Sequence, residues 1–69
     1  MDTNTVYEWG LKWVEFHLEN TEPTEDNIYR ITEQVMRDWD MKNPDTLTDD
    51  QWDDVCYCIR DELADRFEL

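Results

Sequence analysis

Val6-Tyr7-Glu8-Trp9-Gly10-Leu11-Lys12-Trp13-Val14-Glu15-Phe16-His17-Leu18 carries two periodicities, and the fold depends on which one the chain obeys. At a helical period, Val6, Trp9, Trp13 and Phe16 form one apolar stripe, and Tyr7, Leu11, Val14 and Leu18 form a second. Gly10 and His17 lie between the stripes, while Glu8, Lys12, Glu15 and Glu19 fill the opposite face. At a period of two, Tyr7, Trp9, Leu11 and Trp13 alternate with Glu8, Gly10 and Lys12. These are also good strand formers. A hairpin turning at Gly10-Leu11, however, puts Tyr7, Trp9, Lys12 and Val14 on one face and mixes charge into its apolar side. The helix keeps the two apart. Thr5 and Glu8 add the spacing of a capping box, in which the threonine accepts from an orphan backbone N–H and the glutamate reaches back. The expectation is a helix over 5–19. The alternative is an α+β fold with a strand or hairpin at residues 6–18.

The apolar arc of this helix is wide enough to touch two neighbouring helices, or one neighbour and a second subunit. Trp9, Trp13 and Phe16 are therefore expected on a core face or a homodimer face.

Downstream, Asn20 to Pro23 reads as a loop and Thr24 as the cap of a second helix over about 25–41. Ile28, Ile31, Val35, Met36 and Trp39 form its stripe, with Tyr29 and Thr32 at the edge. Arg30, Glu33, Gln34 and Arg37 point away. Pro44 ends the element, because proline disfavours helix at the residue before it. Thr48-Asp49-Asp50-Gln51 opens a third helix, 49–67, with a second capping box, and its two aspartates favour the positive end of the helix dipole. Trp52, Val55, Cys56, Ile59, Leu63 and Phe67 keep helical spacing to the end. The expected fold class is all-α, a small three-helix bundle occupying residues 1–69 as one domain.

Size and composition agree. At 69 residues the chain is one domain with a thin stability margin. Nine aromatic residues, four of them Trp, separate it from disordered acidic tails. One glycine and two prolines favour long regular elements over a turn-rich β fold. No segment is apolar enough to span a membrane, and no basic-then-apolar leader opens the chain. Cys56 and Cys58 fit a reducing compartment, so a cytoplasmic location is expected.

Catalytic and metal chemistry find little support. His17, the single histidine, has no cysteine or histidine at ligand spacing and reads as a packed residue of the apolar arc. Cys56 and Cys58 point about 160° apart on a helix, so they cannot share a metal or close a disulfide there. Cys56 reads as core and Cys58 as surface. Asp38, Asp40 and Asp49 match three positions of a calcium loop, but Lys42 stands at a ligand position and Asn43 where glycine is needed. The chain has no serine and no glycine-rich phosphate loop. Trp13, Trp39 and Trp52 read as core. No cofactor, no metal and no enzymatic activity are expected.

The net charge of −13, from nineteen acids and six bases, is the outlying property. Small soluble domains ordinarily carry a magnitude of ~2–8. Such a chain repels nucleic acid and anionic membranes and attracts basic proteins. In the third helix Asp50, Asp54, Asp61, Asp65 and Glu68 share a narrow sector opposite Trp52 and Leu63, flanked by Asp53 and Glu62. Carboxylates at i and i+4 lie ~6 Å apart along the axis, close to the spacing of successive phosphates on one strand. These seven acids are the candidate partner-binding residues. One reading is a solvated or salt-adapted surface. The other is a nucleic-acid mimic facing a basic groove.

In size, charge and the stripe Asp50, Asp54, Asp61, Asp65, the chain resembles small acidic phage-encoded host inhibitors, the class of anti-restriction DNA mimics and several anti-CRISPR proteins. The resemblance implies a non-enzymatic inhibitor of a basic nucleic-acid-binding host protein. It shares no motif and transfers no site residue. The alternative is a small homodimeric structural or regulatory subunit whose acidic surface serves solubility or salt adaptation.

Overall fold

Thr24 and Thr48 each hold an extended backbone one residue ahead of a helix and accept a hydrogen bond from the backbone N–H three residues on, Asn27 and Gln51. At Thr48 the bond is reciprocal: its N–H donates to Gln51 Oε1 at 3.0 Å and Gln51 N–H donates to Thr48 Oγ1 at 3.2 Å. A computed structural model describes residues 3–69, with three helices: α1 Thr3–Leu18, α2 Glu25–Lys42 and α3 Asp49–Arg66. All three pairs of helices touch, so the architecture is a small three-helix bundle, 32 × 19 × 17 Å. Among the described residues there is no strand, and the hairpin alternative at residues 6–18 drops out. α1 begins at Thr3, which places Thr5 inside the first turn and not at the cap expected for it.

The core is built from one line of residues on each helix. α1 contributes Val6, Gly10, Val14 and Leu18; α2 contributes Ile28, Thr32, Val35, Met36 and Trp39; α3 contributes Val55, Cys56, Ile59 and Leu63. Tyr7, Trp9, Leu11, Ile31, Leu47 and Trp52 pack around them half-buried.

The α1 line starts on one expected stripe at Val6, crosses the gap at Gly10 and continues on the other at Val14 and Leu18. It follows i, i+4, i+8, i+12 and so swings about 40° around the helix at each step, as a ridge packed into a groove must. Gly10 sits on that ridge where all three helices close. A Cβ there would stand 2.7 Å from Ile59 Cδ1 of α3 and 3.3 Å from Met36 Sδ of α2. The swing also explains His17. By Leu18 the buried side has rotated past it, and His17 is exposed, not packed. Trp13, expected in the core, is 43% exposed and Phe16 57% exposed.

Two further expectations are corrected. Thr32, placed at the edge of its stripe, is fully buried, and its hydroxyl finds no hydrogen-bond partner among the described residues. Phe67 falls beyond the last turn of α3 and is exposed; its N–H caps the helix by donating to Leu63 O at 3.0 Å. Between α2 and α3, Trp39 Nε1 donates to Thr46 Oγ1 at 3.0 Å, and Thr46 Oγ1 donates to Asn43 O at 2.8 Å. The indole thus ties the connecting loop to the core.

Candidate functional site

Charge is distributed unevenly over the bundle. α1 carries two acids and one lysine, and α2 five acids and three bases. α3 carries seven acids and two arginines. Those two arginines do not neutralise its outer surface. Arg60 leans toward α2, with its guanidinium 4.6 Å above the Tyr29 ring and Nε donating to Cys56 O at 3.4 Å. Arg66 reaches toward α1, where it pairs with Glu15, and with Glu62 of its own helix at 3.1 Å. Those two carboxylates hold the Arg66 guanidinium above its ordinary pKa. Both bases thus lean to the flanks of α3, Arg60 half-buried and Arg66 still exposed, and the five aspartates without an ion pair lie between them.

Asp50, Asp53, Asp54, Asp61 and Asp65 are all exposed, and none takes part in an ion pair among the described residues. Glu62 differs from the rest of the expected set: it is half-buried and engaged by Arg66. Glu68 lies past the end of α3 with φ 58°, in the turn that closes the helix, so it is off the helical sector assigned to it. The remaining five aspartates form two groups, Asp50–Asp53–Asp54 and Asp61–Asp65. Tyr57, 63% exposed, and the free thiol of Cys58 fill the turn between them. Cys58 lies on the surface as its helical position predicts, and Tyr57, outside the expected set of site residues, joins it on this face. Its signal was available, since Tyr57 falls inside the same angular sector as Asp50 and Asp61.

The carboxylates are spaced along the axis and do not converge. Among the described residues no three of His, Cys, Asp and Glu are gathered as a metal-holding group. The exposed aspartates thus make two separate acidic groups along one helix face. Tyr7, on the α1 side of this face, has its hydroxyl pKa pushed up by burial and then by the nearby Glu62 carboxylate.

A second surface lies between α1 and α2. Trp39 in the core meets Trp9 edge-on at 4.9 Å, Trp9 meets Trp13 at 6.2 Å, and Trp13 meets Phe16 at 5.8 Å. A ladder of rings therefore climbs from the interior to the surface. His17 sits beside its outer end, 6.5 Å from Trp13 and 5.8 Å from Phe16. Of the expected core-or-dimer residues, then, Trp9 packs on the core and Trp13 and Phe16 face outward. Among the described residues no helix is long and apolar enough to cross a membrane. No protein-family model, curated protein or solved structure matches this chain.

Proposed function

We propose that the chain is a non-enzymatic inhibitor that occupies the basic groove of a nucleic-acid-binding protein by presenting the outer face of α3 in place of nucleic acid. Inhibition of a host defence complex, of the CRISPR or restriction type, in the cytoplasm is the favoured setting. What supports the reading is the absence of an ion-pair partner at Asp50, Asp53, Asp54, Asp61 and Asp65 among the described residues, with Arg60 and Arg66 engaged at the two flanks of α3. A surface that served solubility alone has no need of this segregation.

The dimensions suit the role. Asp50 to Asp65 spans about 22 Å of helix axis, about the axial rise of six base pairs of a duplex at about 3.4 Å each. Five exposed aspartates stand there. Fixed on a packed helix by short side chains, they lose little freedom on docking, and their field steers a basic partner toward the face before contact.

The test compares two net-charge-matched variants as bait in host lysate at low salt. Asp50→Asn, Asp54→Asn, Asp61→Asn and Asp65→Asn combined should abolish capture and inhibition while leaving the helical spectrum intact. Glu8→Gln, Glu22→Gln, Asp40→Asn and Asp45→Asn combined should change both little. Duplex or single-stranded nucleic acid should displace the captured protein, and added salt should elute it. Equal behaviour of the two variants, whether active or inactive, refutes the mimic.

A further inference from the structure

We propose that the aromatic face of α1 is the interface of a two-fold homodimer. The proposal is independent of the α3 reading. Its starting point is an exposed apolar surface whose rings stack on the core and are held in place from within. Trp13 is 43%, Phe16 57% and Met41 81% exposed. At ~150–250 Å² per aromatic side chain, each ring leaves on the order of 100 Å² in water. Trp13 is also backed by the ring of Trp9, which in turn rests on Trp39. A pre-positioned aromatic anchor costs little entropy on association, and tryptophan is the residue most enriched among interface anchors.

Charge selects the occupant. Arg30, Arg37 and Lys42 line the groove beside Trp13, and Lys12 borders the adjoining hollow with Phe16. Four of the six bases thus surround this one face of a chain carrying −13. Acids interleave with them: Glu33 pairs with Arg37 at 3.9 Å, Asp38 with Lys42 at 3.2 Å, and Glu15 and Glu19 border the Phe16 hollow. The face is close to neutral and bears both signs. A second copy of a strongly acidic protein meets the least opposing charge here, whereas an approach through α3 sets aspartate against aspartate.

The register supports the same occupant. With two α1 helices antiparallel about an axis near Glu15, Trp13 of one copy falls on Phe16 of the other. Lys12 then comes within one turn of Glu19 of the second copy, twice by symmetry. Both α3 faces are left pointing outward. The apolar area is a fraction of the ~800 Å² per partner of a standard interface, so micromolar affinity is expected.

Sedimentation equilibrium from low to high micromolar concentration at physiological salt tests this on the full chain. The wild type should move from monomer to dimer across that range, and Trp13→Ala and Phe16→Ala should each weaken association at least tenfold. Lys12→Glu, at an exposed position that leaves the core alone, should weaken it several-fold. Lys12→Glu with Glu19→Lys, which has the wild-type net charge, should restore it. The Asp50, Asp54, Asp61, Asp65 quadruple asparagine variant should dimerise at least as well as wild type, so loss of inhibition and loss of dimer are separable. A wild type monomeric at every concentration overturns the proposal, including one that binds some other protein through this face. So does a dimer indifferent to Phe16→Ala and Lys12→Glu.

Discussion

Gly10→Ala is the most informative single substitution in the bundle, because two opposing effects of similar size meet there. In an open helix face alanine is favoured over glycine by about 1 kcal/mol, since glycine gives up more backbone freedom on folding. At Gly10 the added methyl arrives 2.7 Å from Ile59 Cδ1, where ordinary carbon contacts lie at about 3.5–4.0 Å. Roughly 1 Å has to be found. The methyl cannot simply be displaced toward α2, because Met36 Sδ is already 3.3 Å away. Ile59 and Met36 are both fully buried, and Ile59 is stiff at χ1, so relief depends on rotating its terminal carbon within a packed core. Overpacking of this kind costs about 1–3 kcal/mol. The net expectation is destabilisation by about 1 kcal/mol, or a fall of about 4–8 °C in Tm for a domain of this size. The assay is a double-mutant cycle in urea with Ile59→Val, which removes the obstructing carbon and alone costs about 0.5–1.5 kcal/mol. The double variant should be more stable than the two single effects summed, by about 1 kcal/mol or more. A Gly10→Ala protein that melts higher than wild type, with additivity within about 0.5 kcal/mol in the cycle, would refute the close approach of the three helices.

Other expectations follow from the core and its titrating groups. Thr32→Val keeps the shape of a fully buried side chain and removes a hydroxyl without a partner, so it should stabilise by about 1 kcal/mol, read from the urea midpoint. Thr46→Ala leaves the buried Trp39 N–H without its acceptor and should cost about 1 kcal/mol, with a red-shifted tryptophan emission if the loop lets water reach the ring. Burial pushes the Cys56 thiol from 9.0 up to about 11. The unfolded chain therefore loses that proton first, the folded chain holds more protons between these values, and stability should fall as pH rises through that window. The loss is at most about 2–3 kcal/mol, with Tyr7 adding to it in the same direction, and Cys56→Ala should flatten the slope. Under native conditions near neutral pH a thiol reagent should modify Cys58 alone, and both cysteines only after denaturation.

The residues that state their environment locally were legible in the sequence. Thr24, Thr48 and Gln51 announce helix starts through side chains that bond their own backbone, although the same signature at Thr5 and Glu8 falls inside α1. Ile28, Val35, Met36, Val55, Cys56, Ile59 and Leu63 are apolar, correctly spaced and buried as expected. α1 was harder, because its hydrophobic residues cover so much of the circumference that periodicity alone does not say which third faces inward. The deciding residue is Gly10, which contributes nothing to an apolar stripe yet takes the most central place by having no side chain. Thr32 was misplaced for the opposite reason: its hydroxyl argues for the edge, while its β-branched shape fills the core. On α3 the aspartates were correctly read as exposed. Their division by Tyr57 and Cys58 is legible in the spacing of α3 itself, whereas the turning of Arg60 and Arg66 to its flanks depends on partners in α2 and α1 that no single-helix pattern contains.

The ring ladder also has an optical consequence. Trp9 and Trp39, with centroids 4.9 Å apart and planes inclined at 62°, are close and skewed enough for their excited states to couple. Coupled indoles in a chiral arrangement give a paired positive and negative band in the far ultraviolet, overlapping the region where peptide helices absorb. The circular dichroism of this protein should therefore misstate its helix content, and Trp9→Phe should change the spectrum without unwinding a single turn. The same band reports directly on the contact between α1 and α2, so its disappearance during unfolding times the separation of those two helices independently of the loss of helical backbone.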